Sequence, residues 1–279
     1  MSGQNSLELI NQLSKEHLDQ YCNKEDLELL ILHILDIDRN ILYRENPTLN
    51  ENQKILLKKC IERRNLGEPL AYILGNKGFW NLDFLTNQNV LVPRPETELL
   101  VEKIINFYDS RPLKLLDLGT GSGAIGMSLF SERPSWDVYC SDLSFKALKV
   151  ALENKKNNQV KVYLINANWF NAFCKNSFDV IVSNPPYVNQ NDERLLKDGV
   201  SFEPLEALVS QEQGLKDIKH IILNAKNYLR DNGCLLLEHA PEQSKEVIDL
   251  FEHYAYKSIR QFKDLNGDDR VSFGKIIKK

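Results

Sequence analysis

Asn184-Pro185-Pro186-Tyr187 closes a short apolar run, Phe178-Asp179-Val180-Ile181-Val182-Ser183. That run has the β-rich character of a strand buried in a parallel sheet. The two prolines end it, because neither can donate a ladder hydrogen bond. Pro185 also biases Asn184 away from the helical region, so a short side-chain amide is held in a turn at the carboxyl end of a strand. In open α/β sheets ligands bind at that edge. An ordinary strand-to-loop turn would look the same. The weight therefore falls on Tyr187 and on what the rest of the chain brings to this edge.

A second group has complementary chemistry. Asp117-Leu118-Gly119-Thr120-Gly121-Ser122-Gly123 joins a predicted strand to a predicted helix. Its glycines allow a sharp turn and let a ligand approach bare main chain. Asp142 ends the next strand, where a carboxylate can accept hydrogen bonds from both hydroxyls of a ribose. Together they read as a nucleoside site. Gly119-x-Gly121-x-x-Ala124 also satisfies a loose dinucleotide fingerprint. Against that reading stand Asp117, as expected of a carboxylate that holds a ligand's ammonium group, and the lack of hydride-transfer residues beside the loop. Asn168-Trp169-Phe170 follows the third strand, and Trp169 is placed to stack on an adenine ring. Glu238 and His239 end a further strand at the same edge. His239 reads as structural, and neither is assigned chemistry.

The elements that must position these groups alternate. Strands are predicted at Lys114 to Leu118, Asp137 to Ser141, Val160 to Ile165, Phe178 to Val182 and Cys234 to Glu238. Helices are predicted at Ala124 to Ser131, Phe145 to Glu153 and Leu215 to Leu229. This alternation implies a doubly wound, mostly parallel sheet of the α/β class. Lys257 to Phe262 and Arg270 to Ile276 read as a terminal β-hairpin on that sheet. Ahead of it, residues 1–66 read as a small helical bundle. Leu27, Leu30, Ile31, Ile34 and Leu35 form an amphipathic stripe that Asn23 and Asp26 can start. Another helix is expected from Leu7 to about Tyr21. Thr48 with Glu51 has capping-box spacing for the next, and Gly67 suits that helix's end. Residues 67–92, with Tyr72-Ile73-Leu74, Gly78-Phe79-Trp80 and Leu82-Asp83-Phe84, read as a β-hairpin connector. Residues 93–279 form the main domain, with Pro95 placed to open a helix.

The 279 residues carry a net charge of −4, a poor footprint for a nucleic-acid binder. No apolar run approaches a membrane span, and Met1 to Gln12 lacks the order of a signal peptide. Five scattered cysteines without a CxxC pair argue against a disulfide framework or a zinc site. The expectation is a soluble cytoplasmic protein.

At the residues quoted first, the chain resembles class I, Rossmann-like S-adenosylmethionine-dependent methyltransferases. Asn184-Pro185-Pro186-Tyr187 is similar to the motif of the branch that methylates planar nitrogens: adenine N6, guanine N2 or glutamine amides. Its flanks narrow the choice. Gly67-Glu68-Pro69-Leu70-Ala71-Tyr72-Ile73-Leu74-Gly75, Val92-Pro93-Arg94-Pro95-Glu96-Thr97-Glu98, Phe202-Glu203-Pro204-Leu205-Glu206-Ala207-Leu208, Leu237-Glu238-His239 and Gly267-Asp268-Asp269-Arg270 resemble the peptide chain release factor N5-glutamine methyltransferase family. The resemblance implies S-adenosyl-L-methionine as cofactor, contacted by Gly119, Thr120, Gly121, Ser122, Gly123, Asp142, Trp169 and Asn184. It implies a class 1 release factor as partner, methylated on the glutamine of its Gly-Gly-Gln motif. The helical domain reads either as a structural cap or, more sharply, as a docking module for the protein substrate, and the acidic balance speaks against a nucleic-acid partner, as the lack of an apolar span does against a membrane. A monomer is the expected state. The family usually has an acidic residue where this chain has Asn168. On this reading the Asn184 oxygen and the Pro185 carbonyl accept the two N–H bonds of the substrate amide. Tyr187 walls the pocket and Pro186 completes the substrate contacts. Rival readings are a ribosomal-protein glutamine methyltransferase, a nucleic-acid amino-methyltransferase and a non-catalytic binding protein.

Overall fold

The computed structural model describes residues 5–16, 22–196 and 199–278. The chain divides into two compact units, Met1–Gly75 with Leu196–Phe202, and Asn76–Leu195 with Glu203–Lys279.

The first unit is helical: α1 (Ser6–Glu16), α2 (Lys24–Leu35), α3 (Arg39–Glu45), α4 (Glu51–Asn65) and α5 (Leu70–Leu74). The expected stripe forms its core. Leu27, Leu30 and Ile31 of α2 are buried with Leu57, Cys60 and Ile61 of α4. Asn23 caps α2 by accepting from the Asp26 amide. The cap of α4 is two residues later than Thr48. Asn50 and Gln53 exchange side-chain and backbone bonds there, while Thr48 pairs with Asn5 in a β-bridge. Residues 17–21, the end of the first expected helix, lie outside the described residues. Tyr72-Ile73-Leu74, read from its aromatic and β-branched content as part of a β connector, is helical. Ile73 joins the α2–α4 core, with Leu70 and Leu74 packed against it, so side-chain burial at helical spacing overrides local propensity. The helical unit therefore runs to Gly75 rather than residue 66.

The second unit opens with a hairpin, β1 (Asn76–Phe79) and β2 (Leu82–Leu85), paired antiparallel. A 3₁₀ turn at Pro95–Thr97 leads into α6 (Glu98–Phe107). The alternating run follows as β3 (Lys114–Leu118), α7 (Ala124–Glu132), β4 (Asp137–Asp142), α8 (Phe145–Asn157), β5 (Tyr163–Asn166) and β6 (Phe178–Ser183). Short β7 (Val188–Asn189) and β8 (Val209–Ser210) pair with each other. The chain ends with α9 (Lys216–Tyr228), β9 (Leu229–Glu238), α10 (Ser244–His253), β10 (Lys257–Lys263) and β11 (Asp269–Lys275).

The main sheet is seven-stranded in the order β10-β11-β9-β6-β3-β4-β5. β5, β4, β3, β6 and β9 run parallel, and the terminal hairpin adds β11 antiparallel to β9. Successive side chains alternate between two cores, as the strand period requires. Leu115, Val180, Val182 and Leu236 pack on one face with α6 and α7. Leu116, Ile181, Leu235 and Leu237 pack on the other with α9 and α10. The chain builds outward from β3 through β4 to β5, then crosses to β6 on β3's other side. The crevice of a doubly wound sheet lies at that reversal, outside the carboxyl ends of β3 and β6. Gly119 and Asn184 are the next residues after those two ends.

Candidate active site

The loop after β3 is anchored to the end of β4. The Gly119 and Thr120 amides both donate to the Ser141 carbonyl at 2.9 Å. Asp142 then fixes the loop from its side chain. One carboxylate oxygen accepts from the Gly121 amide and the other from the Ser144 amide, each at 2.8 Å. Gly121 has φ +57°, and a Cβ there would meet no heavy atom within 4 Å. Its bare face points into open space.

That space is a cavity of about 450 Å³, walled in part by Gly119, Gly121, Asp142, Asn168, Trp169 and Asn184. Pro186 also lies on its wall. The Trp169 indole covers Gly119, with Cζ3 3.8 Å from where that residue's Cβ would stand. Trp169 holds φ +48°, a strained value for a bulky side chain and one that clusters at ligand sites. The expected nucleoside-site residues Gly119, Gly121, Asp142 and Trp169 thus share one cavity.

Asp117 is placed differently from expectation. It is wholly buried and absent from the cavity wall. Its Oδ2 accepts from the Thr120 hydroxyl at 2.5 Å and from the Gly126 amide at 3.0 Å, so it faces the first turn of α7. A carboxylate suits a helix N-terminus. Burial still pushes it up to about 7, against those two bonds. Asp117 thus ties the loop to α7 through Oδ2, while its buried Oδ1 has no hydrogen-bond partner among the described residues. Thr120, Ser122 and Gly123 likewise serve the loop. Thr120 binds Asp117, the Ser122 carbonyl accepts from Asn154 at 2.9 Å, and Gly123 caps α7.

Two wall segments were not assigned from sequence to this site. Val90 and Leu91 come from the stretch before Arg94, and Pro204, Glu206 and Ala207 from the stretch after Phe202. Glu203 joins the two. Its buried carboxylate accepts from the Val92 amide at 3.0 Å and pairs with the Arg94 guanidinium. Asp217, in the first turn of α9, completes an acidic set with Asp142 and Glu206. The clue available in sequence was an Arg and a Glu in two separate proline-bearing segments, each without an obvious partner.

At the other end of the site, the Asn184 amide donates from Nδ2 to the Thr97 hydroxyl at 3.1 Å. Thr97 is buried, at the end of the 3₁₀ turn. Pro185 and Tyr187 are not on the cavity wall. The Tyr187 ring packs against the α9–α10 core, and its hydroxyl donates to Glu238 Oε1 at 3.1 Å. Tyr187 thus does not line the nucleoside cavity, and its hydroxyl is drawn to a buried carboxylate. His239 is buried with both ring nitrogens engaged, Nδ1 with the Ala240 carbonyl and Nε2 with the Ser272 hydroxyl, each at 2.9 Å. That is the structural role read for it.

A doubly wound sheet with a nucleoside-sized cavity and an oriented amide at its switch point defines a Rossmann-like methyltransferase. The sequence family described as Methyltransferase small domain matches residues 95–200, and the one described as PrmC N-terminal domain matches residues 8–75. A methyltransferase from Pyrococcus furiosus shares the fold, with TM-score 0.54 at 18% identity over 82% of this chain and 99% of that one. The release factor glutamine methyltransferase of Buchnera aphidicola subsp. Schizaphis graminum is 40% identical, covering 89% of this chain and 91% of its own. That of Escherichia coli K12 is 36% identical over 90% of this chain and 92% of its own. The chain belongs to the release factor glutamine methyltransferase family. Among the described residues, no helix is long and apolar enough to cross a membrane.

Proposed function

We propose that this chain transfers a methyl group from S-adenosyl-L-methionine to the side-chain amide nitrogen, N5, of the glutamine in the Gly-Gly-Gln motif of class 1 peptide chain release factors. The observation that carries this is kinship over nine-tenths of the chain with enzymes named for that substrate, joined to an Asn184 amide turned with its donor end inward. The enzyme works as a cytoplasmic monomer, and its helical unit docks the protein substrate.

The residues present fit the cofactor. A cavity of about 450 Å³ lies in the range of small-ligand sites. Each Asp142 oxygen keeps a lone pair beyond its backbone bond, enough to accept a ribose hydroxyl. Trp169 offers a flat apolar face for adenine, with Asn168 beside it. Asp142, Glu206 and Asp217 make the wall electronegative, which suits a ligand bearing an ammonium and a sulfonium. When bound, S-adenosylmethionine supplies an electrophilic methyl group.

The chain's task is to aim a poor nucleophile. The lone pair of a primary amide nitrogen is delocalised into its carbonyl, so orientation matters more than basicity. Asn184 Oδ1 and the Pro185 carbonyl accept the two N–H bonds of the glutamine amide. Two acceptors fix its direction and favour the positive charge that develops on nitrogen. No strong base is needed beforehand, because the nitrogen becomes far more acidic as it is methylated.

Asp142→Asn is expected to weaken cofactor binding about 10²-fold, since hydrogen bonds to a charged group are worth about 1.5–3 kcal/mol. Whichever way the new amide turns, its NH₂ end meets a backbone N–H, of Gly121 or of Ser144. Calorimetric titration checks this, and unchanged affinity would remove Asp142 from the ribose. The function itself is tested with labelled S-adenosylmethionine and purified release factor, beside a Gln→Ala substitution in the Gly-Gly-Gln motif. Label on the intact factor and none on the substituted one is expected. No label on either, with cofactor binding demonstrated, would overturn the substrate assignment.

A further inference from the structure

Helix α8 buries one face, and one position on that face is polar. Its buried residues are Ala147, Leu148, Val150, Ala151 and Asn154. Asn154 stands where helical spacing calls for another apolar side chain, and it is wholly buried. A buried amide is costly unless its polar atoms are bonded. Here Oδ1 accepts from the Leu85 amide at 2.6 Å. Nδ2 donates to the Leu85 carbonyl at 3.2 Å and to the Ser122 carbonyl at 2.9 Å. One side chain thus joins the end of β2 to the loop between β3 and α7.

The two bonds to Leu85 decide which way the amide turns. A side-chain amide has donor and acceptor ends of nearly equal size, so shape alone does not orient it. Leu85 offers both of its main-chain groups, as a ladder partner would. A reversed amide would set its NH₂ group against the Leu85 N–H and its oxygen against two carbonyls. In the observed orientation one N–H is left over, and it goes to Ser122.

Ser122 follows Gly121, which lies on the cavity wall. The peptide units on either side of this pair are each held at both ends. In the first, the Gly121 N–H donates to Asp142 at 2.8 Å, and the Thr120 carbonyl accepts from Gly123 at 2.9 Å. In the second, the Gly123 N–H makes that bond to Thr120, and the Ser122 carbonyl accepts from Asn154. The unit between them is the Gly121 carbonyl with the Ser122 N–H. It makes no main-chain hydrogen bond among the described residues. Gly121 is free to turn as no other residue type is, so the direction of this middle unit is set by its pinned neighbours.

We propose that Asn154 is the positioning residue of the nucleoside-binding loop. Through the Ser122 carbonyl it fixes the peptide unit that Gly121 brings to the cavity, and so sets affinity for S-adenosylmethionine from outside the cavity wall. This rests on the reading of the cavity as the cofactor site and extends it to a residue with no place on that wall.

A purely structural part for Asn154, as a tie between α8 and the hairpin, has its own control. Asn158, the residue after α8, donates from Nδ2 to the Asp83 carbonyl at 2.8 Å. It ties the same helix to the same strand and makes no hydrogen bond to the loop among the described residues.

The test compares the two ties. Asn154→Asp keeps the size of the side chain and the acceptor for Leu85, but turns an oxygen toward both carbonyls. At a temperature where the variant is folded, calorimetric titration is expected to show S-adenosylmethionine bound about 10-fold more weakly, the scale of one lost hydrogen bond at a buried acceptor. In turnover KM for the cofactor rises with it, while kcat and KM for the release factor hold. Asn158→Ala is expected to lower the unfolding temperature and leave cofactor affinity unchanged. Unchanged affinity in folded Asn154→Asp overturns the proposal. So does an equal loss in Asn158→Ala, since affinity would then follow attachment of the hairpin. The wild type supplies a further readout. The Asn154 side-chain NH₂ resonance, assigned by ¹⁵N NMR through its proximity to the Leu85 amide proton, is expected to shift in step with cofactor saturation. A resonance indifferent to the cofactor overturns the proposal without any variant having to fold. Affinity that depends on Asn154 in an enzyme that methylates no release factor upholds the positioning and discards the substrate assignment. A wild type that binds no S-adenosylmethionine discards the cofactor reading, and the positioning with it.

Discussion

Asn184→Ala is expected to cut methyl transfer by about 10²-fold or more while leaving affinity for S-adenosylmethionine mostly intact, the scale of one lost preorganised hydrogen bond at a reacting centre. The asymmetry between the two effects comes from where the amide is held. Its Nδ2 is committed to Thr97 at 3.1 Å, and the anchors of the nucleoside end, Asp142 on Gly121 and Ser144, do not involve it. Truncation should also leave the sheet intact. Val180, Ile181 and Val182, which fix β6 between the two cores, are wholly buried and untouched. Single-turnover methyl transfer, measured beside cofactor titration, checks this. Near-wild-type turnover would remove Asn184 from its role. An equal loss in cofactor binding would mean that the residue acts chiefly as a cofactor contact.

The parts of this molecule legible in sequence are those where one residue type has few places to go. Continuous apolar runs such as Leu115-Leu116 and Val180-Ile181-Val182 can be buried only on both faces, and both cores use them alternately. Glycines and prolines at strand ends announced the crevice, and Gly119 and Asn184 do stand at the ends of β3 and β6. The direction of a side chain was not legible. Asp117 could point into the cavity or into the amides of α7, and spacing does not distinguish them. Burial beside the Gly126 amide decided it. Nor does the sequence record that the Tyr187 hydroxyl meets a buried carboxylate on another strand. The remaining walls are long-range. Val92 and Glu203 are 111 positions apart, and no local pattern records that they share a hydrogen bond. Local propensity misled at Tyr72-Ile73-Leu74 for a related reason, since the core that makes it helical is supplied by α2 and α4.

The same distinction between local pattern and distant contact shapes a second expectation. Gly214→Ala should destabilise the protein by about 3 kcal/mol and abolish most methyl transfer, from a position outside the cavity wall. Glu212, Gln213 and Gly214 have φ of +54°, +58° and +85°, an uncommon left-handed run just before α9. A Cβ on Gly214 would stand far inside contact distance of the Tyr187 carbonyl oxygen and 2.6 Å from Gln243 Nε2. That Gln243 amide donates to the Tyr187 carbonyl at 2.9 Å and to the Gln213 carbonyl at 3.2 Å. It clamps the left-handed segment to the residue that ends the Asn-Pro-Pro-Tyr motif. Overpacking costs about 1–3 kcal/mol, and a non-glycine residue held at such a φ costs about as much again. The backbone has no flexible side chain to yield, so the displacement falls on Tyr187, and from its hydroxyl on Glu238. Gly267→Ala is the comparison. Gly267 has φ +87° but no heavy atom within 4 Å of its Cβ position, so it incurs the backbone strain without the collision. Denaturant unfolding with turnover of both variants separates the two effects. A Gly214→Ala enzyme no less stable than Gly267→Ala, with full activity, would show that the close approach to Tyr187 does not hold the motif in place.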